Sequence, residues 1–242
     1  MMAAADAIAV THRLEALASR YGLSDGQIGQ LRCLLEVLAS DAHAPSTVTA
    51  ARRAVDVHLA DSLSALELDF VRAAARIADI GSGPGFPGLP LAVALPDATV
   101  SLLESSARRC VFIERAASAA GLRNAVVVAM RVEAWDAGCG EQDVVTARAV
   151  APLAVLCEYA APLLRLGGGL VVWRGRRDRE AEEAAERAAG QLALESRPAV
   201  RSEPYPDSQE HHLHVYVKVG PTPARFPRRP GIASKRPLGV SS

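Results

Sequence analysis

The run Asp79-Ile80-Gly81-Ser82-Gly83-Pro84-Gly85-Phe86-Pro87-Gly88, with Glu104 beyond it, holds the residues of this chain best suited to handling a ligand. Gly81, Gly83 and Gly85 permit positive φ and leave bare backbone for a ligand to lie against, and the first N–H groups of a following helix would point into the same space. Pro84 and Pro87 fix φ and lower the entropy lost when the loop orders. About twenty residues on, the apolar run Thr99–Leu103 ends in Glu104, where a carboxylate can accept both hydroxyls of a ribose. Each feature has a plainer reading: a surface turn without a ligand for the glycines, a solvated strand end for Glu104. Together they predict an adenosine-containing cofactor.

The glycine spacing narrows the choice. A dinucleotide fingerprint needs Gly-x-Gly-x-x-Gly, but its third glycine is here Phe86, and the glycines alternate instead. Asp79, just ahead of the turn, would repel a pyrophosphate and suits a ligand that carries an amine or other cation. S-adenosylmethionine, with its sulfonium and amino group, fits these residues better than NAD. An NAD-dependent oxidoreductase is the second reading, and a non-catalytic protein that binds a cofactor on the same fold is the third.

These residues need a scaffold that brings strand ends together. Residues 1–70 read as helical: Val10, Leu14, Leu17 and Tyr21 form one stripe, Ser24-Asp25-Gly26-Gln27 is a capping box ahead of Ile28, Leu31, Leu35 and Leu38, and a third helix carries Val55, Leu59, Leu63 and Leu66. From about Arg72 strands alternate with helices. Arg76–Ile80, Thr99–Leu103, Ala125–Met130, Gln142–Ala147 and Gly169–Trp173 read as strands, with helices starting near Phe86, Ser106, Glu133 and Pro152. In the second of these helices Cys110, Ile113, Ala117 and Ala120 face inward. Such alternation predicts a parallel sheet with helices on both faces and ligands at the carboxyl ends of the strands.

After a helix over Asp178–Leu192, with Ala181, Ala185, Ala188 and Leu192 inward and Glu183 four before Arg187, two more strands follow, around Leu194–Arg201 and His211–Val219. The loop between them is too short for a crossover helix, so they form an antiparallel hairpin. A mostly parallel, seven-stranded, Rossmann-like α/β sheet closed by such a hairpin is the class I S-adenosylmethionine-dependent methyltransferase architecture. The expected division is an N-terminal helical extension over 1–70, a methyltransferase core over 71–220 and a basic C-terminal tail over 221–242.

The 242 residues, half of them apolar, suffice for a sizeable core. No apolar run reaches the roughly 18 residues of a membrane span, and Met1-Met2-Ala3-Ala4-Ala5-Asp6 lacks the basic start of a secretory signal. A cytoplasmic protein without a membrane partner is expected, and a monomer. Cys33, Cys110, Cys139 and Cys157 have no C-x-x-C spacing and read as buried reduced thiols. His58 and Asp61, one helical turn apart, read as a hydrogen-bonded pair or a cap rather than a metal site. His211, His212 and His214 read as surface strand residues, the last two on one face. The net charge is zero, yet Arg225, Arg228, Arg229, Lys235 and Arg236 crowd the tail with no acid among them. A local patch of this kind binds phosphate whatever the sum. The chain's overall preference for arginine over lysine offers a competing explanation in base composition.

Separated stretches then coincide with one family. Asp79 through Leu91, Leu103-Glu104-Ser105, Arg131-Val132-Glu133, Ala147-Arg148-Ala149-Val150-Ala151, Phe226-Pro227-Arg228-Arg229-Pro230-Gly231 and Lys235-Arg236-Pro237-Leu238, with His58-Leu59-Ala60-Asp61-Ser62-Leu63 upstream, closely resemble the bacterial small-subunit rRNA guanine-N7 methyltransferases known as RsmG or GidB. The resemblance runs from about residue 44 to 239. It implies transfer of a methyl group from S-adenosylmethionine to N7 of a guanine in the 530 loop of 16S rRNA, as RNA or in the small subunit. Carried over, Gly81 and Phe86 line the methionine and ribose region, Glu104 holds the ribose, Val132 and Glu133 flank the adenine, and Arg148 sits at the end of the fourth strand beside cofactor and substrate. Two departures stand out: the family's Asn-x-Thr is Ala44-Pro45-Ser46, and its lysine after the fifth strand is Arg174. Arg148 and Arg174 are candidates for orienting the base or a phosphate, with a structural ion pair as the other reading of each. Guanine N7 carries a free lone pair, so no general base is needed and no catalytic residue is assigned.

Overall fold

Five apolar runs do pair as parallel strands. The computed structural model describes residues 4–41, 51–206, 208 and 210–240. In it β1 (Arg76–Ile80), β2 (Thr99–Leu103), β3 (Ala125–Val128), β4 (Gln142–Arg148) and β5 (Leu164–Arg174) form parallel ladders. β1 and β2 have the expected bounds, β3 is shorter, and β5 begins well before Gly169. Beyond β5 the sheet changes direction. β8 (His211–Lys218) runs antiparallel to β5 and carries β6 (Leu194–Ser196) and β7 (Val200–Ser202) on its other edge, giving the order β3-β2-β1-β4-β5-β8-β6 with β7 also on β8. The sheet therefore has eight strands, not seven, because the strand expected over 194–201 is two short ones. Pro198 lies between them and has no N–H to give the ladder. The antiparallel closure itself is as expected and differs from the all-parallel dinucleotide fold.

The N-terminal helices, α1 (Ala4–Tyr21) and α2 (Asp25–Ser40), follow their patterns. Val10, Leu14, Leu17 and Tyr21 are all buried. Ser24 and Gln27 close the capping box, and the Gln27 amide reaches on to Val93 O at 2.8 Å. The buried row of α2 is Leu31, Leu34 and Leu38, with Leu35 only half-buried. α2 touches α1 as well as helices of the core, so its apolar stripe is wider than one row. The third helix buries Val55, Leu59, Leu63 and Leu66 as expected but is not uniform. It comprises α3 (Ala51–Ala54), a π-helical turn over Val55–Ala60, α4 (Asp61–Leu63) and a 3-10 turn over Ser64–Glu67, with α5 (Asp69–Arg72) leading into β1. Ala44-Pro45-Ser46 lie outside the described residues.

Between the strands come α6 (Gly88–Ala94), α7 (Ala107–Ala119), α8 (Leu153–Ala160) and α9 (Arg179–Gln191), and the chain closes with α10 (Ile232–Lys235). The inward residues expected on α7 are all buried. The helix expected near Glu133 is only two single turns, Val132–Ala134 and Asp136–Gly138. Gly138 follows too soon for a helix to repay its nucleation. On α9, Ala185, Ala188 and Leu192 are buried, whereas Ala181 is half-exposed. Glu183 pairs with Arg179 at 2.8 Å rather than with Arg187, whose Nε donates to Gly239 O at 2.7 Å where the tail lies alongside the helix.

The core has two halves. On one face of the sheet Leu14, Leu31, Leu59 and Leu63 share a cluster with Ile77, Val100 and Val144; on the other Leu156, Leu192 and Tyr216 pack with Ala78, Val145 and Val172, joined by Phe226 and Ala233 of the tail. The helical extension and the tail thus share cores with the sheet. Among the described residues no helix is long and apolar enough to cross a membrane, and the four cysteines are free thiols, with Cys110 and Cys157 buried and Cys139 exposed.

Candidate active site

β1 ends in the glycine turn, and its backbone takes the positive φ values that the sequence allows: 67° at Gly81, 58° at Gly83 and 92° at Gly85. The turn is tied to the tip of β2. Gly81 N–H and Ser82 N–H donate to Leu103 O at 2.8 and 3.1 Å, and Gly83 N–H donates to Glu104 Oε2 at 3.1 Å. The other carboxylate oxygen of Glu104 accepts Ser106 N–H at 2.8 Å. Arg109 Nη1 also lies 3.5 Å from Oε2 as an ion-pair partner on the exposed side, and a carboxylate oxygen accepts more than one donor, so Glu104, almost fully buried at the strand tip, can still receive ribose hydroxyls.

Asp79 does not meet its expectation. Its side chain has no exposed surface; Oδ1 accepts Thr146 Oγ1–H at 2.8 Å and Oδ2 accepts Gly88 N–H at 3.1 Å. A Cβ at Gly88 would lie 2.9 Å from that oxygen, so the start of α6 is fitted around the carboxylate. Burial pushes the Asp79 carboxyl up to about 6, against the lowering effect of its hydrogen bonds. It anchors the turn from behind and presents no charge to a ligand's amine.

In front of the turn lies a cleft that encloses about 150 Å³ and spans about 550 Å³ with its open mouth. Gly81, Glu104, Val132 and Glu133 line it, as do Met130, Val150, Tyr159 and Ser234. Neither Gly83, which is tied to Glu104, nor Phe86 lines it; Phe86 is buried and stacked on His58 with ring centroids 4.8 Å apart. His58 in turn is held neutral, since burial and then the Arg148 guanidinium push it down to about 4. Val150 covers the turn closely, for a Cβ on Gly81 would lie 2.7 Å from it. Tyr159 and Ser234, whose hydroxyls are 3.0 Å apart, close the far side, and Gly231 N–H donates to Glu133 Oε1 at 2.8 Å. The tail therefore builds one wall, a role with no local signal in its composition. A bare-backbone turn, a buried carboxylate at the next strand tip and a mixed apolar and polar opposite wall fit an adenosyl ligand lying in an open trough.

Residues 32–203 match the family model for rRNA small subunit methyltransferase G, or GidB. The chain belongs to that family. The methyltransferase G of Chloroflexus aggregans is 41% identical over 184 residues, covering 75% of this chain and 76% of its own length. That of Roseiflexus castenholzii is 39% identical over 198 residues, covering 80% and 83%. Among solved structures, a SAM-dependent methyltransferase from Aquifex aeolicus has a TM-score of 0.53 at 13% identity over 69% of this chain and 93% of its own. The fibrillarin pre-rRNA processing protein of Methanococcus jannaschii has 0.51 at 15% over 62% and 69%. At such identities these two speak for the fold alone.

The basic residues of this chain divide into two groups. Arg148 does not line the cleft; its Nη1 donates to Asp61 Oδ2 at 2.7 Å and to Val57 O at 2.9 Å. Among the described residues Arg174 has no ion-pair partner: its Nη2 donates to Ala151 O beside the cleft, its Nε is buried without a hydrogen bond there, and burial lowers its pKa. Arg228, expected to meet phosphate, is instead engaged by the buried Glu158 through a two-point pair, Nε donating to Oε1 at 2.7 Å. Arg229, Lys235 and Arg236 are exposed, and no acid pairs with them among the described residues. Of the histidines, His214 is buried 3.8 Å from Glu182 Oε1, with its pKa lowered by burial, because α9 covers that face of β8. His211 reaches Asp61.

Proposed function

We propose that the protein transfers the methyl group of S-adenosylmethionine to N7 of a guanine in the 530 loop of 16S rRNA, acting in the cytoplasm as a monomer. Family membership supports the coarse activity, methylation of small-subunit rRNA, and the observation that carries the site is the cleft where Gly81, Glu104, Val132 and Glu133 meet. Gly81 and its neighbouring backbone take the methionine end, Glu104 the ribose hydroxyls, and the Val132–Glu133 turn flanks the adenine. The bound cofactor supplies an electrophilic methyl group on a positively charged sulfur. Guanine N7 offers its lone pair without first losing a proton, so no side chain has to act as a base. What the chain contributes is alignment and exclusion of water, which together lower a barrier by at most roughly 7–11 kcal/mol. Val150 narrows the cleft over Gly81 while Tyr159 lines its far side, and Arg174 braces the loop carrying Val150 through Ala151 O.

Arg229, Lys235 and Arg236 lie on the segment that carries Ser234 into the cleft wall, so they flank the mouth and meet rRNA phosphates there. Replacing all three with Ala should flatten the dependence of log affinity for rRNA on log salt by about 2, since each phosphate neutralised on a single strand contributes roughly 0.7 to the slope. A filter-binding series across salt concentrations reads this directly, and an unchanged slope would remove the tail from the rRNA-binding surface.

A further inference from the structure

Asp61 is the point where the N-terminal segment meets the carboxyl edge of the sheet. Its backbone oxygen accepts the Trp173 indole N–H at 2.7 Å, its Oδ2 accepts Arg148 Nη1–H at 2.7 Å, and its Oδ1 lies 3.2 Å from His211 Nδ1. One residue thus joins the ends of β4, β5 and β8. The π-helical turn just before it, Val55–Ala60, brings a second acceptor to Arg148, since Val57 O takes the same Nη1 at 2.9 Å. Such widened turns redirect carbonyls and side chains and recur at functional sites.

Two acceptors on one nitrogen fix the plane of the Arg148 guanidinium. Its Nη2 and Nε have no hydrogen-bond partner among the described residues and are not among the sealed atoms, so that edge faces accessible space. The chain then turns at once: Ala149 adopts φ 57°, and Val150 and Ala151 fall into the wall of the cofactor cleft. A guanidinium held rigidly by one nitrogen beside a methyl-transfer cleft, with its other two nitrogens unused, is an oriented two-donor fork.

We propose that Asp61 is a positioning residue for methyl transfer, holding Arg148 through one carboxylate oxygen and His211 through the other so that the open edge of Arg148 meets an oxygen of the substrate nucleotide. This rests on the methyl-transfer reading above. Donation to N7 would occupy the lone pair that must attack, so the fork serves O6 of the target guanine or a phosphate oxygen next to it. His211 balances the cluster. It faces Asp61 and Arg148, and its Nε2 lies 3.3 Å from the hydroxyl of Tyr205, which itself senses Arg53 and Asp56. The hydrogen bond to Asp61 raises the His211 pKa. Below that pKa the cluster carries one more positive charge, which is lost as pH rises.

Steady-state methyl transfer to 16S rRNA in the full-length protein tests this, with cofactor affinity measured separately by calorimetry. Asp61→Asn and Arg148→Lys, the latter keeping a cation for Asp61 while abolishing the fork, should each lose on the order of 100-fold in kcat/KM for rRNA, the scale of a misplaced reactant, with S-adenosylmethionine affinity unchanged. The wild-type rRNA KM should rise as pH climbs above the ordinary histidine range, because the raised His211 then loses its proton, and His211→Gln should flatten that rise. Arg148→Ala distinguishes the acceptors: a phosphate contact lowers the salt slope of rRNA affinity by about 1, whereas an O6 contact leaves the slope alone while transfer falls. Should Asp61→Asn fail to fold, Arg148→Lys decides. Wild-type kinetics and wild-type pH dependence in Arg148→Lys and His211→Gln would overturn the positioning role. Absence of transfer by the wild type would instead count against the proposed function.

Discussion

Glu104→Ala should weaken S-adenosylmethionine binding about 100-fold in a calorimetric titration while leaving the protein folded. The effect follows from the carboxylate's position. It sits at the tip of β2, almost fully buried, in the wall of the cleft, and its two oxygens receive Gly83 N–H and Ser106 N–H. Two ribose hydroxyls on the remaining lone pairs would make charge-assisted hydrogen bonds, each contributing about 1.5–3 kcal/mol, and a loss near 3 kcal/mol corresponds to roughly a hundredfold. Removal of the side chain also releases the Gly83 N–H that shapes the turn, which adds to the effect without touching the core. Glu104→Gln, which retains a neutral acceptor, should fall between the two. Unchanged affinity in Glu104→Ala would mean that the cofactor does not lie with its ribose at β2.

The second large effect is on stability. Arg228→Ala leaves the Glu158 carboxylate, whose side chain is 1% exposed, without its two-point partner in the middle of α8. Breaking a buried pair by removing one member is worth about 3–5 kcal/mol, and in a chain of this size each kcal/mol shifts Tm by about 2–4 °C, so a fall on the order of 10 °C is expected in a thermal melt. Replacing both residues with Leu should restore most of the loss, because no unpaired charge stays buried. Arg229→Ala, one position along and exposed, should change stability by no more than about 0.5 kcal/mol. Equal melting temperatures for the two single variants would contradict the division of the tail into a structural arginine and a solvent-exposed one.

That division marks where the sequence stops being informative. Whatever is set by neighbours in the chain was legible: the bounds of β1 and β2, the Ser24 and Gln27 capping box, the buried stripe of the third helix, and the glycine turn with Glu104 one strand away. What depends on distant partners was not. Asp79 reads as a charge offered to a ligand because Thr146, which occupies one of its oxygens, lies 67 residues further on. Arg228 and Arg229 are the same residue type in the same basic run, and only Glu158, 70 residues earlier, separates their roles. Phe86 belongs to the glycine turn in sequence, yet its ring faces His58 of the N-terminal segment. The cleft walls formed by Tyr159 and Ser234 required knowing that the tail folds back on α8. The break at Pro198 did have a local signal, a proline in the middle of the expected strand, and that signal would have separated β6 from β7.

The central claim is that this cleft delivers a methyl group to one guanine N7. The most direct measurement incubates the protein with S-adenosylmethionine labelled in its methyl group and with either small ribosomal subunits or naked 16S rRNA, then maps the labelled base. A single 7-methylguanine in the 530 loop, on one substrate or both, is the expected result. No label on either substrate, or label on another atom or another region of the rRNA, would contradict it.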